Sequence, residues 1–143
     1  MIMSRKTRHV IYVAGKYTDP DPHQIRRNVL AASEVAIECW RAGWAVICPH
    51  KNTDGYEAFE ADDRLNWDVW MQGDLEILSR CDAVIMVDNW TRSKGATVEH
   101  DTAKKLHITV FYAEDGIPNA SVLDDHRSIM RYLDSIRKKG GNT

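Results

Sequence analysis

The sequence contains no long apolar run and little net charge. None of its apolar segments approaches the roughly 20 residues that a membrane-spanning helix needs, and its 143 residues carry a formal net charge of only −2. Without a strongly positive surface, no overall field would draw the chain to a nucleic-acid polymer or an anionic membrane. We therefore expect neither a membrane nor a nucleic acid among its partners.

Cysteine is also scarce. The three cysteines, Cys39, Cys48 and Cys81, are odd in number and follow no disulfide pattern, which is typical of reduced thiols in a reducing compartment. The first residues, M-I-M-S-R-K-T-R-H, are basic but lack the apolar segment of a secretory signal. Both features predict a cytoplasmic protein.

Several motifs that would identify a chemistry are missing. The chain has neither H-E-x-x-H nor C-x-x-C, and its six histidines show no ligand spacing, so we expect no metal site. It has no G-x-G-x-x-G and no G-x-x-x-x-G-K-[ST], which argues against dinucleotide and P-loop sites. It also lacks the G-x-S-x-G turn of serine hydrolases. We expect no cofactor.

What is present indicates one globular domain over residues 1–143, with 43% hydrophobic and 28% charged residues. Four short runs of β-branched and aromatic residues are nearly continuous rather than alternating. Such runs are typical of strands buried on both faces of a parallel sheet. They occupy residues 9–14, 44–48, 83–87 and 108–112.

Helical patterns separate these runs. Asp21 and Pro22 provide an N-cap and a first helical residue, and Gly43 provides a C-terminal stop for the same helix. Further helices are predicted over 67–80, 96–106 and 121–138.

The alternation of strands and helices predicts right-handed crossovers and a three-layer α/β sandwich with a parallel sheet of four to five strands. In such sheets, ligands bind outside the carboxyl ends of the strands. Three predicted loops should meet there, over residues 15–22, 49–66 and 88–95. The middle one is long, which favours a lid or binding loop, although a solvated insertion explains it equally well.

Two acids lie beside apolar helix faces. Glu99 is predicted in the first turn of its helix, on the face of Ala103 and Leu106, where the helix dipole favours the ionised carboxylate. It either caps its own helix or points into a pocket. Asp74 lies beside the apolar face of the preceding helix, where an acid needs a partner, unless it caps a helix that begins late.

Other candidate residues lie within the predicted strands or in the turns that follow them. Tyr12, in the first apolar run, either fills the core or needs a hydrogen-bond partner for its hydroxyl. Gly15 and Lys16, in the A-G-K-Y-T turn, suit a phosphate, as does the turn of Ser93 and Gly95. We also assign two residues that follow the second and third runs, His50 and Asp88, to substrate binding.

Taken in order, four segments resemble the nucleoside 2-deoxyribosyltransferase superfamily, which includes 2'-deoxynucleoside 5'-monophosphate N-hydrolases and many phage proteins. They are I-Y-V-A-G-K-Y-T, D-L-E-I-L-S-R-C-D, S-K-G-A-T-V-E and H-I-T-V-F-Y. The resemblance covers roughly residues 9–112. It rests on the order of the segments and on the 25-residue gap from Asp74 to Glu99.

The resemblance implies a flavodoxin-like fold, cleavage of an N-glycosidic bond and a homodimer or higher homo-oligomer. It implies Glu99 as the nucleophile at C1', Asp74 as the group that engages the departing base, and Tyr12 as the residue that orients Glu99. An adjacent carboxylate stabilises or captures an oxocarbenium-like centre. A second acid in a different environment can give the leaving base a proton or a hydrogen bond.

Hydrolysis and transfer remain alternatives. Transferases of the superfamily that use free nucleosides tend to carry an acid where this chain has Ser93, whereas the monophosphate hydrolases tend to carry serine. We therefore favour an N-glycosidase acting on a (deoxy)nucleoside 5'-monophosphate over a 2-deoxyribosyltransferase. A non-catalytic nucleotide-binding module or an interaction protein would need neither Glu99 nor Asp74. The P-G-G-x-G-T-x-x-E turn of phosphoribohydrolases is absent.

Overall fold

The computed structural model describes residues 8–59 and 61–124, together with Met130, Asp134, Ile136 and Arg137. The strands are β1 (Val10–Ala14), β2 (Ala45–Ile47), β3 (Ala83–Met86) and β4 (Thr109–Tyr112). The α-helices are α1 (Pro22–Arg41), α2 (Pro49–Asn52), α3 (Trp67–Ser79) and α4 (Lys94–Lys105). Short 3₁₀ helices cover Tyr56–Phe59, Trp90–Arg92, Ala113–Asp115 and Ala120–Leu123. Most of the helix predicted over 121–138 lies outside the described residues.

The four strands form one parallel sheet in the order β2-β1-β3-β4. In the register of the sheet, Tyr12 on β1 is paired with Ile47 on β2 and with Val84 on β3. This order and the surrounding helices confirm the predicted α/β fold of flavodoxin-like type. The strand order reverses between β1 and β3, so a crevice is expected beyond the carboxyl ends of these two strands.

Helices cover both faces of the sheet. Ile11 and Val13 pack with the α1 side chains Ala32 and Cys39 on one face. Tyr12 and Ala14 pack on the other face, with residues of α3 and α4 such as Leu78 and Ala103. Since successive side chains of a strand point to opposite faces, the position of Tyr12 in β1 places its ring on the α3–α4 side.

The first helix forms as its sequence predicts. The Asp21 side chain caps its N-terminus by accepting a hydrogen bond of 2.9 Å from the backbone N–H of His23. Pro22 is the first helical residue, and the helix ends at Arg41. Gly43 follows with φ of 95°, a left-handed conformation that glycine adopts without strain.

The helix α3 begins at Trp67, as predicted, whereas α4 begins at Lys94, two residues before the predicted start at 96. Asn66 caps α3 through a hydrogen bond from the backbone N–H of Val69, so Asp74 lies within the helix and does not cap it. Ser93 caps α4, which places Glu99 in the second turn rather than the first, so it does not cap its own helix. Leu106, predicted on the buried face with Glu99, is 48% exposed.

No helix within the described ranges is both long enough and apolar enough to cross a lipid bilayer.

Candidate functional site

A cavity of about 660 Å³ opens at the carboxyl ends of the strands. All three predicted loops contribute to its wall, and the N-terminal halves of α3 and α4 complete it. From the loops, its lining residues are Gly15, Lys16, Tyr17, Thr18, Pro49, His50, Thr53, Tyr56, Leu65, Asn66, Arg92 and Ser93; from α3 and α4 they are Trp67, Trp70, Met71, Asp74, Lys94, Gly95, Ala96 and Glu99. The cavity therefore lies where parallel α/β sheets bind ligands.

Glu99 is a buried acid at the inner wall of this cavity. Its side chain projects from α4 toward the sheet, and the residue is 7% exposed. The hydroxyl of Tyr12, which is fully buried in β1, donates a hydrogen bond to Glu99 Oε2. Glu99 is therefore held from beneath by the sheet while it faces the cavity.

Burial changes the ionisation of Glu99. Removal from water raises its pKa from the ordinary 4.5 to about 8, a rise to which the charge of Asp74 adds and which the Tyr12 hydrogen bond partly offsets. The sequence predicted the opposite, an ionised carboxylate favoured by the helix dipole. That prediction was wrong because Glu99 lies in the second turn and because desolvation dominates at so buried a position.

Asp74 lines the same cavity from α3 and is partly buried. Burial raises the pKa of this carboxyl from 3.8 to about 6. Its charge also raises the pKa values of Tyr12 and Glu99, so the three groups interact electrostatically. Near pH 7, the favoured free form has an ionised Asp74 and a protonated Glu99.

A cation and a helix N-cap are part of the cavity wall. Lys16 follows β1, and its ammonium pairs with Asp19 at 3.2 Å. Ser93 Oγ accepts a hydrogen bond of 3.1 Å from the backbone N–H of Ala96. The cavity wall therefore includes both a cation and a serine hydroxyl at a helix N-terminus, and each of these groups suits an anion.

The β1 turn is held tightly against the turn that follows β3. A Cβ atom on Gly15 would lie 2.8 Å from Val87 Cβ and 3.2 Å from Asn89 Oδ1. The same Asn89 oxygen accepts a hydrogen bond of 3.0 Å from the backbone N–H of Lys16. Gly15 is thus needed for the close approach of two neighbouring turns at the strand-order reversal.

His50 connects the second loop to the first. It lies in α2 and lines the cavity, with 6% of the residue exposed. Its Nε2 donates to the backbone oxygen of Lys16 at 2.9 Å. The Tyr17 ring and the imidazole are nearly perpendicular, at 79°, with centroids 5.5 Å apart.

Aromatic rings also line the cavity. Tyr56, Trp67 and Trp70 line it, and the rings of Tyr56 and Trp70 lie 5.9 Å apart. Lys94 Nζ lies 5.0 Å from the centre of the Trp67 ring, a cation–π distance. Trp90 is not part of this wall; its ring stacks on His100, at a centroid distance of 4.3 Å.

The structure gathers eight of the nine predicted site residues at one place. Seven line the cavity, namely Gly15, Lys16, His50, Asp74, Ser93, Gly95 and Glu99, and Tyr12 lies directly beneath Glu99. Asp88 is exposed and does not belong to the lining. Its neighbour Asn89 instead makes the contact that joins the two turns.

Sequence reasoning missed Arg92 as a site residue. Arg92 lines the main cavity and also a smaller polar cavity of about 270 Å³, whose wall again includes Lys16. The signal available in the sequence was the adjacency of this cation to Ser93 in the R-S-K-G turn. No group of three or more histidine, cysteine, aspartate or glutamate side chains within the described ranges is arranged to hold a metal ion.

Residues 9–112 match the DUF4406 family, which is described as a domain of unknown function, and the chain belongs to that family. A comparison with curated proteins finds no match to the chain. The matched range contains every residue of the candidate site. The family match assigns no activity, so the chemistry has to be argued from the site itself.

Proposed function

We propose that the protein is an N-glycosidase that cleaves the base–sugar bond of a (deoxy)nucleoside 5'-monophosphate, with Glu99 as the nucleophile. The observation that carries this proposal is the buried Glu99 carboxyl, held by the Tyr12 hydroxyl and facing a cavity that Asp74 also lines. The resemblance to the nucleoside 2-deoxyribosyltransferase superfamily supports the same roles.

The proposed reaction requires one ionised and one protonated carboxyl, and the two acids of the cavity can provide them. Their pKa values of about 6 for Asp74 and about 8 for Glu99 imply that the pair retains one proton between these values. Transfer of that proton from Glu99 to Asp74 produces an ionised nucleophile and a neutral acid. The Glu99 carboxylate then attacks C1' while the neutral Asp74 gives its proton to the departing base. Water later hydrolyses the bond between Glu99 and C1' and releases the sugar.

The cations that line the cavity support a monophosphate. Lys16 and Arg92 bring positive charge, and the Ser93 hydroxyl has a hydrogen to donate after its oxygen has accepted the helix cap. An acid at position 93 would repel a phosphate. The rings of Trp67 and Trp70, which also line the cavity, provide flat apolar surface for a base.

Transfer is the second candidate. If water is excluded once the covalent sugar forms, a second base can attack C1', and the same residues would perform base exchange on free deoxynucleosides. The aromatic wall favours this alternative, since it can hold an incoming base as well as a departing one. The superfamily resemblance also implies a homodimer or larger homo-oligomer, which light scattering on the purified protein tests.

The proposed activity can be tested on a panel of nucleosides and 5'-monophosphates, ribo and deoxy, incubated with and without an acceptor base. Free base would be measured by chromatography. We expect release from monophosphates alone, lost in Glu99→Gln, which preserves the shape and the acceptor for Tyr12.

Other outcomes would redirect the proposal. Base exchange on free deoxynucleosides would identify a transferase. Nucleotide binding without base release would contradict both enzymatic readings and indicate a binding module.

A further inference from the structure

His50 has a ring nitrogen without a hydrogen-bond partner. The residue is 94% buried, since 6% of it is exposed, and it lines the main cavity. Its Nε2 is engaged by the Lys16 backbone oxygen. Its Nδ1 is also buried, and no residue within the described ranges offers it a partner.

The chemistry of Nδ1 follows from the contact at Nε2. A carbonyl oxygen only accepts hydrogen bonds, so Nε2 must carry the hydrogen. Burial lowers the pKa of His50 below its ordinary value of 6.5, so the ring is neutral near pH 7. A neutral imidazole with its hydrogen on Nε2 has a lone pair on Nδ1. Nδ1 is therefore an acceptor.

An unpaired buried acceptor destabilises the folded protein, and native structures retain few of them. This one belongs to a segment that forms part of the cavity wall, since Pro49, Thr53 and Tyr56 line the cavity beside His50. Since Nδ1 is buried, the segment has to shift before a ligand can contact this nitrogen. A ligand hydrogen-bond donor that then reaches Nδ1 would remove the penalty.

We propose that His50 Nδ1 accepts a hydrogen bond from a donor group of the substrate, either a sugar hydroxyl or an N–H of the base. The inference rests on the proposed function, which supplies a nucleotide as the ligand. The phosphate is not the partner, because its oxygens are mainly acceptors near neutral pH. His50 is thus a specificity-determining residue: a nucleotide that lacks the donor leaves the buried acceptor unpaired.

Two substitutions separate the two ring nitrogens. The longer amide of His50→Gln reaches the place of Nε2 and can donate to the Lys16 oxygen, but it has no acceptor where Nδ1 lies. The shorter amide of His50→Asn places an oxygen near the position of Nδ1 but does not reach Lys16. The first variant therefore tests the substrate contact, and the second tests the contact between loops.

Binding would be measured by calorimetry in a Glu99→Gln background, so that the base–sugar bond stays intact. The probes are the four common deoxynucleoside 5'-monophosphates and, for the tightest of them, one analogue without the 3'-hydroxyl and one without a base N–H donor. With His50 present, we expect one analogue to bind roughly tenfold more weakly. That loss should persist in His50→Asn and fall below about twofold in His50→Gln. The analogue that binds more weakly identifies whether the sugar or the base donates the hydrogen bond to His50.

An unchanged discrimination ratio in His50→Gln, with nucleotide binding and base release intact, would overturn the inference and leave the proposed function standing. If His50→Gln does not fold, loss of discrimination in a folded His50→Asn would overturn it as well. Failure of a folded protein to bind any of the four nucleotides would overturn the proposed function and this inference together. Circular dichroism establishes the folded state of each variant.

Discussion

The hydroxyl of Tyr12 donates a hydrogen bond to the carboxyl of Glu99, although the two residues lie 87 positions apart in the chain. Tyr12 reaches Glu99 because its ring occupies the face of the sheet that α4 covers. The contact therefore links the central part of the sheet to the cavity wall. It fixes the orientation of the acid and moderates the rise of its pKa.

Replacing Tyr12 with phenylalanine removes this hydrogen bond while retaining the ring. We expect the free energy of unfolding to fall by about 1–3 kcal/mol, because a buried carboxyl loses its donor. Base release should slow on the order of 100-fold, as when one positioned donor is removed from an active site. Urea denaturation and initial rates measure the two effects. A variant with wild-type kcat would contradict an orienting role for Tyr12.

The dependence of rate on pH should be bell-shaped. Below about pH 6 both carboxyls are protonated and no nucleophile exists; above about pH 8 both are ionised and no acid remains for the base. The values of kcat/KM measured from pH 4.5 to 9.5 at constant ionic strength should show both limbs. The Asp74→Asn variant should lack the alkaline limb. A rate that still rises beyond pH 9 would argue against the shared proton.

Burial of Glu99 should make stability depend on pH. Its folded-state pKa of about 8 exceeds the ordinary 4.5, so between these values the folded protein holds a proton that the unfolded chain has released. The free energy of unfolding should therefore fall as pH rises, by on the order of 1 kcal/mol per pH unit, until the folded pKa is passed.

Glu99→Gln is the matched control, since glutamine cannot ionise. Denaturation at pH 6.5, 7.5 and 8.5 should show wild type losing stability relative to this variant. Asp74 contributes little to the slope there, because its pKa of about 6 lies below this range. Parallel stability curves for the two proteins would exclude a raised pKa at Glu99.

Ser93→Asp separates the helix cap from the proposed phosphate contact. Aspartate is as good an N-cap as serine, so stability should change by less than about 0.5 kcal/mol. Its charge should lower kcat/KM for a monophosphate by roughly tenfold or more through repulsion, whereas the affinity for a free nucleoside, measured by calorimetry, should stay unchanged. Ser93→Ala should instead lose about 1 kcal/mol of stability. If Ser93→Asp kept the wild-type kcat/KM for the monophosphate, no phosphate would lie beside this residue.

Gly15→Ala should disturb the junction of the two turns. The added Cβ would lie 2.8 Å from Val87 Cβ, and relief of the clash should lower the free energy of unfolding by about 1–3 kcal/mol. Gly73→Ala is the control, because a Cβ there meets no atom within 4 Å and alanine favours a helix by about 0.5–1 kcal/mol. Both changes are measured by denaturant titration. Equal stability of the two variants would show that the two turns can move apart without a measurable loss of stability.

Local features of the sequence predicted the fold well. The apolar runs predicted all four strands to within about two residues at each end, because a strand buried on both faces must be apolar throughout. Asp21, Pro22 and Gly43 predicted the limits of α1, since caps act through neighbouring backbone groups. The start of α3 at Trp67 was predicted as well, whereas α4 begins at Lys94, two residues before the predicted start at 96, because Ser93 caps it.

The candidate site was predicted only in part. The order of turns along parallel strands predicted that Gly15, His50 and Ser93 would meet at one edge. Asp88 was chosen in place of Asn89, because neighbouring residues of a turn point in different directions that only the folded backbone determines. Arg92 was missed for the same reason.

The sequence by itself determined the strands, the edge at which the loops gather and the presence of two acids near it. Only the tertiary structure decided that Tyr12 supports Glu99 and that Glu99 is protonated near pH 7 in the free protein. The physical reason is the separation along the chain over which each effect acts. Caps and alternation depend on residues a few positions apart, whereas desolvation depends on every atom packed around a group, brought there from α3, α4 and the sheet. The charge state of the proposed nucleophile is therefore a property of the fold.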